Sequence, residues 1–111
     1  MATMTAFEMK PDVFKNRNTL TIPAPAYVNA QVLAANTVES HTVPTGAKFV
    51  IFSATNIFYA DFIGGTAAVP AADVTNGTAP FLNPAAVFIQ GVSAISLISP
   101  AACVVTMAFY V

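Results

Sequence analysis

The chain is 111 residues long, and only 8% of its residues are charged while 56% are hydrophobic. An ordinary soluble domain has about 25% charged residues, and a disordered chain is more charged and less hydrophobic than this one. Four basic residues and a net charge of −1 give no electrostatic footprint for nucleic acid, so we expect no nucleic-acid partner. A single cysteine excludes an intrachain disulfide and a cysteine-built metal site. Near-zero net charge with exposed apolar area promotes association, so the composition favours a subunit that other molecules cover.

The charges are concentrated at the N-terminus, where five of the nine charged residues lie within the first 17 positions. This segment ends in Pro23-Ala24-Pro25, which lacks two backbone donors and stays extended. We predict an extended N-terminal arm over residues 1–26 and one β-sandwich domain over residues 27–111; the alternative for the arm is a disordered terminus. The arm has apolar side chains that we expect to anchor it on a neighbouring subunit: Phe7, Met9, Val13, Phe14, Leu20 and Ile22.

Strand signals begin after the arm. Residues 28–33 and 37–43 are rich in β-branched side chains, and Pro44-Thr45-Gly46 then supplies a tight turn. Residues 48–54 are the clearest strand, with apolar side chains on both faces, which predicts that both faces are covered. The aromatic-rich residues 56–63 follow as a further strand.

A long irregular connection over about residues 64–85 comes next. It contains three prolines and Asn76-Gly77, a dipeptide typical of a hairpin turn, and its length is typical of a functional loop or a contact surface. Three late strands are predicted over residues 87–92, 94–99 and 103–111. Helical periodicity is lacking and the chain has eight prolines. We therefore predict an all-β fold, a small antiparallel β-sandwich or jelly-roll-like barrel.

The most apolar part of the chain, residues 85–111, does not read as a membrane span. Ser99-Pro100 divides it into pieces of about 14 and 11 residues, shorter than the roughly 20 that a spanning helix needs. Buried strands explain the same residues, so we expect no membrane partner.

Residues that could perform chemistry are few. Cys103 lies in an apolar strand, where we expect a buried, inert thiol, and a Cys/His pair with His41, the only histidine, is unsupported. A pH-sensing role for His41 at a subunit interface is the one function its type suggests. Asp61 and Asp73 are isolated carboxylates without a calcium-loop pattern. We expect no enzyme, no metal site and no cofactor.

Residues 42–110 resemble small proteins encoded among the virion genes of tailed bacteriophages and prophages. The resemblance is carried by turn and strand positions: Val43-Pro44-Thr45-Gly46-Ala47-Lys48-Phe49-Val50, Asn56-Ile57-Phe58-Tyr59, Val69-Pro70-Ala71-Ala72-Asp73-Val74, Gly77, Leu82-Asn83-Pro84, Gly91-Val92-Ser93-Ala94-Ile95-Ser96-Leu97-Ile98-Ser99 and Thr106-Met107-Ala108-Phe109-Tyr110. It implies a β-rich structural protein of the virion, of the capsid cement or decoration type.

The expected function is therefore a subunit on the capsid surface that stabilises an assembled phage head by bridging neighbouring capsomers. Its partners would be the major capsid protein and copies of itself, and a trimer would suit the local threefold positions of a capsid. A tail, neck or fibre-base component is the first alternative. The second is a small β-barrel that binds an apolar ligand, with a cavity lined by Phe49, Phe52, Phe58 and Phe62.

Overall fold

The structure, a computed structural model, describes residues 3–6 and 23–111, and this part of the chain contains eight strands and no helix. The all-β prediction is therefore confirmed. The strands are β1 (Val28–Leu33), β2 (Glu39–Thr42), β3 (Phe49–Ala54), β4 (Tyr59–Asp61), β5 (Phe81–Leu82), β6 (Ala86–Phe88), β7 (Ala94–Ile98) and β8 (Cys103–Tyr110).

The strands form two four-stranded antiparallel sheets. The order is β1-β8-β3-β6 in the first sheet and β2-β7-β4-β5 in the second sheet. Strands from the first half of the chain pair with strands from the second half in reverse order: β1 with β8, β2 with β7, β3 with β6 and β4 with β5. This is the strand order of the eight-stranded jelly roll, a sandwich of two sheets, so the predicted antiparallel β-sandwich is confirmed.

The core lies between the inner faces of the two sheets, because successive side chains of a strand point to opposite faces. On β8, the side chains of Cys103, Val105, Met107 and Phe109 are buried, while the intervening side chains from Val104 to Ala108 are only partly buried. The second sheet and the segments next to the strands contribute further buried side chains to this cluster, among them Phe58, Ala60, Ile89, Ile95 and Leu97.

The two described parts of the predicted arm both lie against the end of β8. Thr5 forms a parallel bridge with Tyr110, and its carbonyl accepts the backbone N–H of Val111 at 3.0 Å. The Tyr110 hydroxyl donates to the Pro23 carbonyl at 2.9 Å, and the Thr5 hydroxyl donates to the Ala24 carbonyl at 3.2 Å. The six predicted anchors of the arm lie outside the described residues, so their role stays a prediction.

The turns were predicted better than the long connection. The Ala47 N–H donates to the Pro44 carbonyl at 3.1 Å and Gly46 has φ of 89°, as the predicted turn requires. The suggested hairpin at Asn76-Gly77 is wrong, because no strand lies between β4 and β5. The Asn76 side chain instead accepts the Thr78 hydroxyl at 2.6 Å and the Thr78 N–H at 3.3 Å, a local turn that needs no strands.

Within the described residues, no helix is long and apolar enough to cross a membrane.

Candidate interaction face

The outer face of the first sheet is apolar and has no charged side chain. Residues that pair directly in an antiparallel sheet point to the same side, so the register of the three strand pairs defines this face. We call it the apolar face, and its residues are Val28, Ala30, Val32, Phe49, Ile51, Ser53, Ala86, Phe88, Val104, Thr106, Ala108 and Tyr110. Its polar side chains are Ser53, Thr106 and Tyr110, and Tyr110 is 1% exposed, with its hydroxyl bonded to the Pro23 carbonyl. No side chain of the face can therefore form an ion pair with a partner.

Large side chains of the apolar face are open to solvent. Val32 is 68% exposed, Phe88 59% and Val28 48%. The Phe49 and Phe88 rings meet edge to face with their centroids 5.1 Å apart, which fixes an aromatic pair on the surface. The sequence predicted that both faces of this sheet are covered, but the described residues bury the inner face and, on the outer face, only the end at Tyr110.

The outer face of the second sheet is different, because the connection between β4 and β5 folds back over it. Ala67 is 2% exposed, and its N–H donates to the Ser96 hydroxyl at 2.9 Å. Asp61 is 8% exposed, and one carboxylate oxygen accepts the Ile63 N–H at 2.9 Å. The described chain thus covers part of the outer side of the second sheet with the β4–β5 connection, and its described residues leave most of the outer side of the first sheet exposed. The long connection, predicted as a functional loop or contact surface, packs in part on its own domain.

A polar network closes one side of the sandwich, between β1 and β2. The Asn29 amide donates to His41 Nε2 at 3.0 Å, His41 Nδ1–H donates to the Gln31 amide oxygen at 3.1 Å, and the Gln31 amide donates to Glu39 at 2.9 Å. These partners select the neutral tautomer with its proton on Nδ1. The His41 ring stacks on Phe109, with the ring centroids 6.0 Å apart, and burial lowers the pKa of His41 below its usual 6.5.

The remaining sequence candidates do not come together. The Cys103 thiol is buried and contacts the Asn56 carbonyl at 3.5 Å, whereas His41 bonds to Asn29 and Gln31. In the described part of the chain, no three His, Cys, Asp or Glu side chains are grouped as metal ligands. Asp61 holds a turn and Asp73 is exposed.

The four aromatics proposed as a cavity lining lie on two different faces. Phe52 and Phe58 are buried and their centroids are 5.5 Å apart, and Phe62 lies 6.0 Å from Phe52. Phe49 is on the apolar face. An open groove of about 380 Å³ borders Phe52 and Phe58, but it is lined otherwise by residues 53–57 and 83–85 and has no titratable side chain.

The fold and the apolar face define a small jelly-roll protein in which, among the described residues, one outer sheet face is partly covered by the β4–β5 connection and the other is largely exposed. Neither a protein-family model, nor a curated protein, nor a solved structure matches the chain.

Sequence reasoning missed the difference between the two outer faces. The signal was present at β1, where Val28, Ala30 and Val32 alternate with Asn29 and Gln31. Taken alone, that alternation predicts an apolar inner face and a polar outer face. In the structure the amides point inward, to the His41 network, and the apolar side chains point outward.

Proposed function

We propose that this protein is a structural subunit of a phage virion, a capsid cement or decoration protein that binds the assembled head through its apolar face. The observation that carries the proposal is the uncharged, apolar outer face of the first sheet, which the described residues leave largely exposed, beside the outer face of the second sheet, which the β4–β5 connection partly covers. A contiguous apolar patch of this kind is typical of a protein-interaction site. The resemblance to virion proteins and the charge-poor composition support the same role.

The two outer faces suit a subunit that attaches by one side. The apolar face would lie on the major capsid protein, where burial of Val32, Phe88 and their neighbours removes apolar area from water. The outer face of the second sheet would remain toward solvent. A subunit that bridges neighbouring capsomers binds only the assembled state and so stabilises the head by mass action.

Residues 7–22 belong to the same proposal as a second attachment. Their apolar side chains would anchor the subunit on a neighbour, while the pairing of Thr5 with Tyr110 keeps the start of the chain on its own domain. The partners of the protein are therefore the major capsid protein and further copies of itself, and the role is structural rather than catalytic.

The number of copies in the particle tests this function. Purified virions encoded by the phage or prophage that carries the gene are separated into heads and tails, and the protein is counted in each by quantitative mass spectrometry. The proposal predicts hundreds of copies, all with the heads. A few copies with the tails would replace it by the tail, neck or fibre-base role, and absence from the virion would overturn it.

A further inference from the structure

The outer edge of β1 has a row of backbone groups that no strand of the described chain pairs. β1 is the edge strand of the first sheet. The Phe109 N–H donates to the Tyr27 carbonyl at 2.9 Å, which sets the alternation of the β1–β8 ladder. The N–H and C=O groups of Asn29 and Gln31 therefore point toward β8, and those of Val28, Ala30 and Val32 point away from it.

β1 also lacks the features by which natural proteins prevent edges from pairing. Those features are charged side chains, prolines, bulges and short length. β1 is six residues long, its register with β8 is unbroken, and it has no charge and no proline. The other edges are four residues or shorter: β2 contains Glu39, β5 has two residues, and β6 has three and follows Pro84.

We propose that β1 pairs antiparallel with β1 of a second copy of this chain, across a twofold axis at Ala30. Only one register pairs all three outward-pointing residues of both copies, with Ala30 opposite Ala30 and Val28 opposite Val32. It forms six backbone hydrogen bonds, two at each of the three pairs. No charge lies on either strand, so no like charges meet, and the small Ala30 side chain lies at the axis.

This pairing gives the dimer a continuous eight-stranded sheet. Because the twofold axis is perpendicular to the sheet, the apolar faces of the two copies lie side by side and point the same way. The inference rests on the self-association in the proposed function, and it replaces the expected trimer by a closed dimer, since an isologous contact uses the β1 edge of both copies. Two coplanar faces would let one dimer contact two capsomers.

A symmetric disulfide tests the register. Opposed residues of a bonded antiparallel pair have Cα atoms about 5.5 Å apart, within the 4.4–6.8 Å range of disulfides. The Ala30→Cys variant is therefore expected to cross-link to a dimer under mild oxidation. Val32→Cys is the matched control, since the two copies of Val32 would be roughly 14 Å apart, four residues along the strand. Cys103 is buried in both variants.

The free protein provides the second measurement, without any variant and without any phage head. Sedimentation should give twice the 11.5 kDa chain mass, and the amides of Val28, Ala30 and Val32 should exchange at least tenfold more slowly than in diluted monomer. A monomer or trimer at all concentrations, or cross-linking of Val32→Cys as fast as Ala30→Cys, would overturn the pairing. Because both experiments are done in solution, failure of the dimer and failure of head binding are separate results.

Discussion

Ser99 connects three corners of the jelly roll through one buried residue. It is fully buried, and its hydroxyl lies 2.8 Å from the Ile57 carbonyl and 2.6 Å from the Ala101 carbonyl, while its own carbonyl accepts the Asn36 N–H at 2.7 Å. The hydroxyl has one proton, so it donates to one of the two carbonyls at a time. The residue therefore joins the β1–β2, β3–β4 and β7–β8 connections.

Removing that hydroxyl should destabilise the fold. We expect Ser99→Ala to lower the free energy of unfolding by about 1–3 kcal/mol, the cost of leaving a buried polar group without its partner. Ser53→Ala, at an exposed serine of the apolar face, is the control and should change it by less than about 0.5 kcal/mol. Urea titration measures both, and equal effects would show that the Ser99 bonds are not stabilising.

His41 should make the fold sensitive to mild acid. Burial lowers the pKa of His41 in the folded state below the value of 6.5 expected when unfolded, so the unfolded chain binds more protons between these two values. Stability is then complete above pH 6.5 and falls as the pH drops from 6.5 toward the folded-state pKa. Protonation also places a proton on Nε2, facing the Asn29 amide donor.

The measurement is the urea midpoint between pH 7.5 and 5. The wild-type midpoint should decrease below pH 6.5, and His41→Gln should remove that part of the decrease. If the two proteins keep the same pH dependence, the His41 network is not the cause.

At the scale of elements, the connection between β4 and β5 forms a hydrogen bond to a hydroxyl of β7. The buried Ala67 N–H has the Ser96 side chain as its acceptor at 2.9 Å. Ser96→Ala should lower the free energy of unfolding by about 1–2 kcal/mol and speed the exchange of the Ala67 amide. Ser40, the exposed cross-strand neighbour of Ser96, is the control. Unchanged Ala67 exchange in Ser96→Ala would contradict this role.

The predicted arm can be tested as an element because its described ends lie together. The Thr5 hydroxyl is 3.2 Å from the Ala24 carbonyl, so a short Gly/Ser linker can replace residues 7–22 and keep the Thr5–Tyr110 bridge. We expect the melting temperature to stay within a few degrees and head binding to weaken by about tenfold, a loss of about 1.4 kcal/mol. Unaltered head binding would refute the anchoring role of Phe7, Phe14 and the other arm residues.

At the scale of the whole molecule, the sequence predicted the fold class and most strands. Residues 28–33 match β1 because Pro23-Ala24-Pro25 and Asn36 bound it, and Asn36 indeed has φ of 55°. β5 was missed because two residues between Pro80 and Asn83 show no periodicity. The late strand predicted over residues 87–92 is β6 (Ala86–Phe88), since Gly91 turns the chain with φ of 90°.

The site could not be predicted to the same extent, because pairing decides which side of a strand faces solvent. In the sequence of β1, Val28, Ala30 and Val32 alternate with two amide side chains, but the sequence does not show which of the two sets faces the core. The amides face inward because His41 and Glu39 of β2 form hydrogen bonds with them across the sandwich. That contact forms only when the two sheets have packed together, and local strand propensity does not encode how they pack.

One pair of variants tests the central claim that the apolar face binds the head. Phe88 on this face and Phe81 on β5 of the second sheet are the same residue type with nearly equal exposure, 59% and 56%. Each is replaced by Glu, and binding to purified heads that lack the protein is measured by co-sedimentation. We predict that Phe88→Glu weakens binding at least tenfold, about 1.4 kcal/mol, while Phe81→Glu binds like wild type. Equal binding by both variants, or selective loss with Phe81→Glu, would contradict the account.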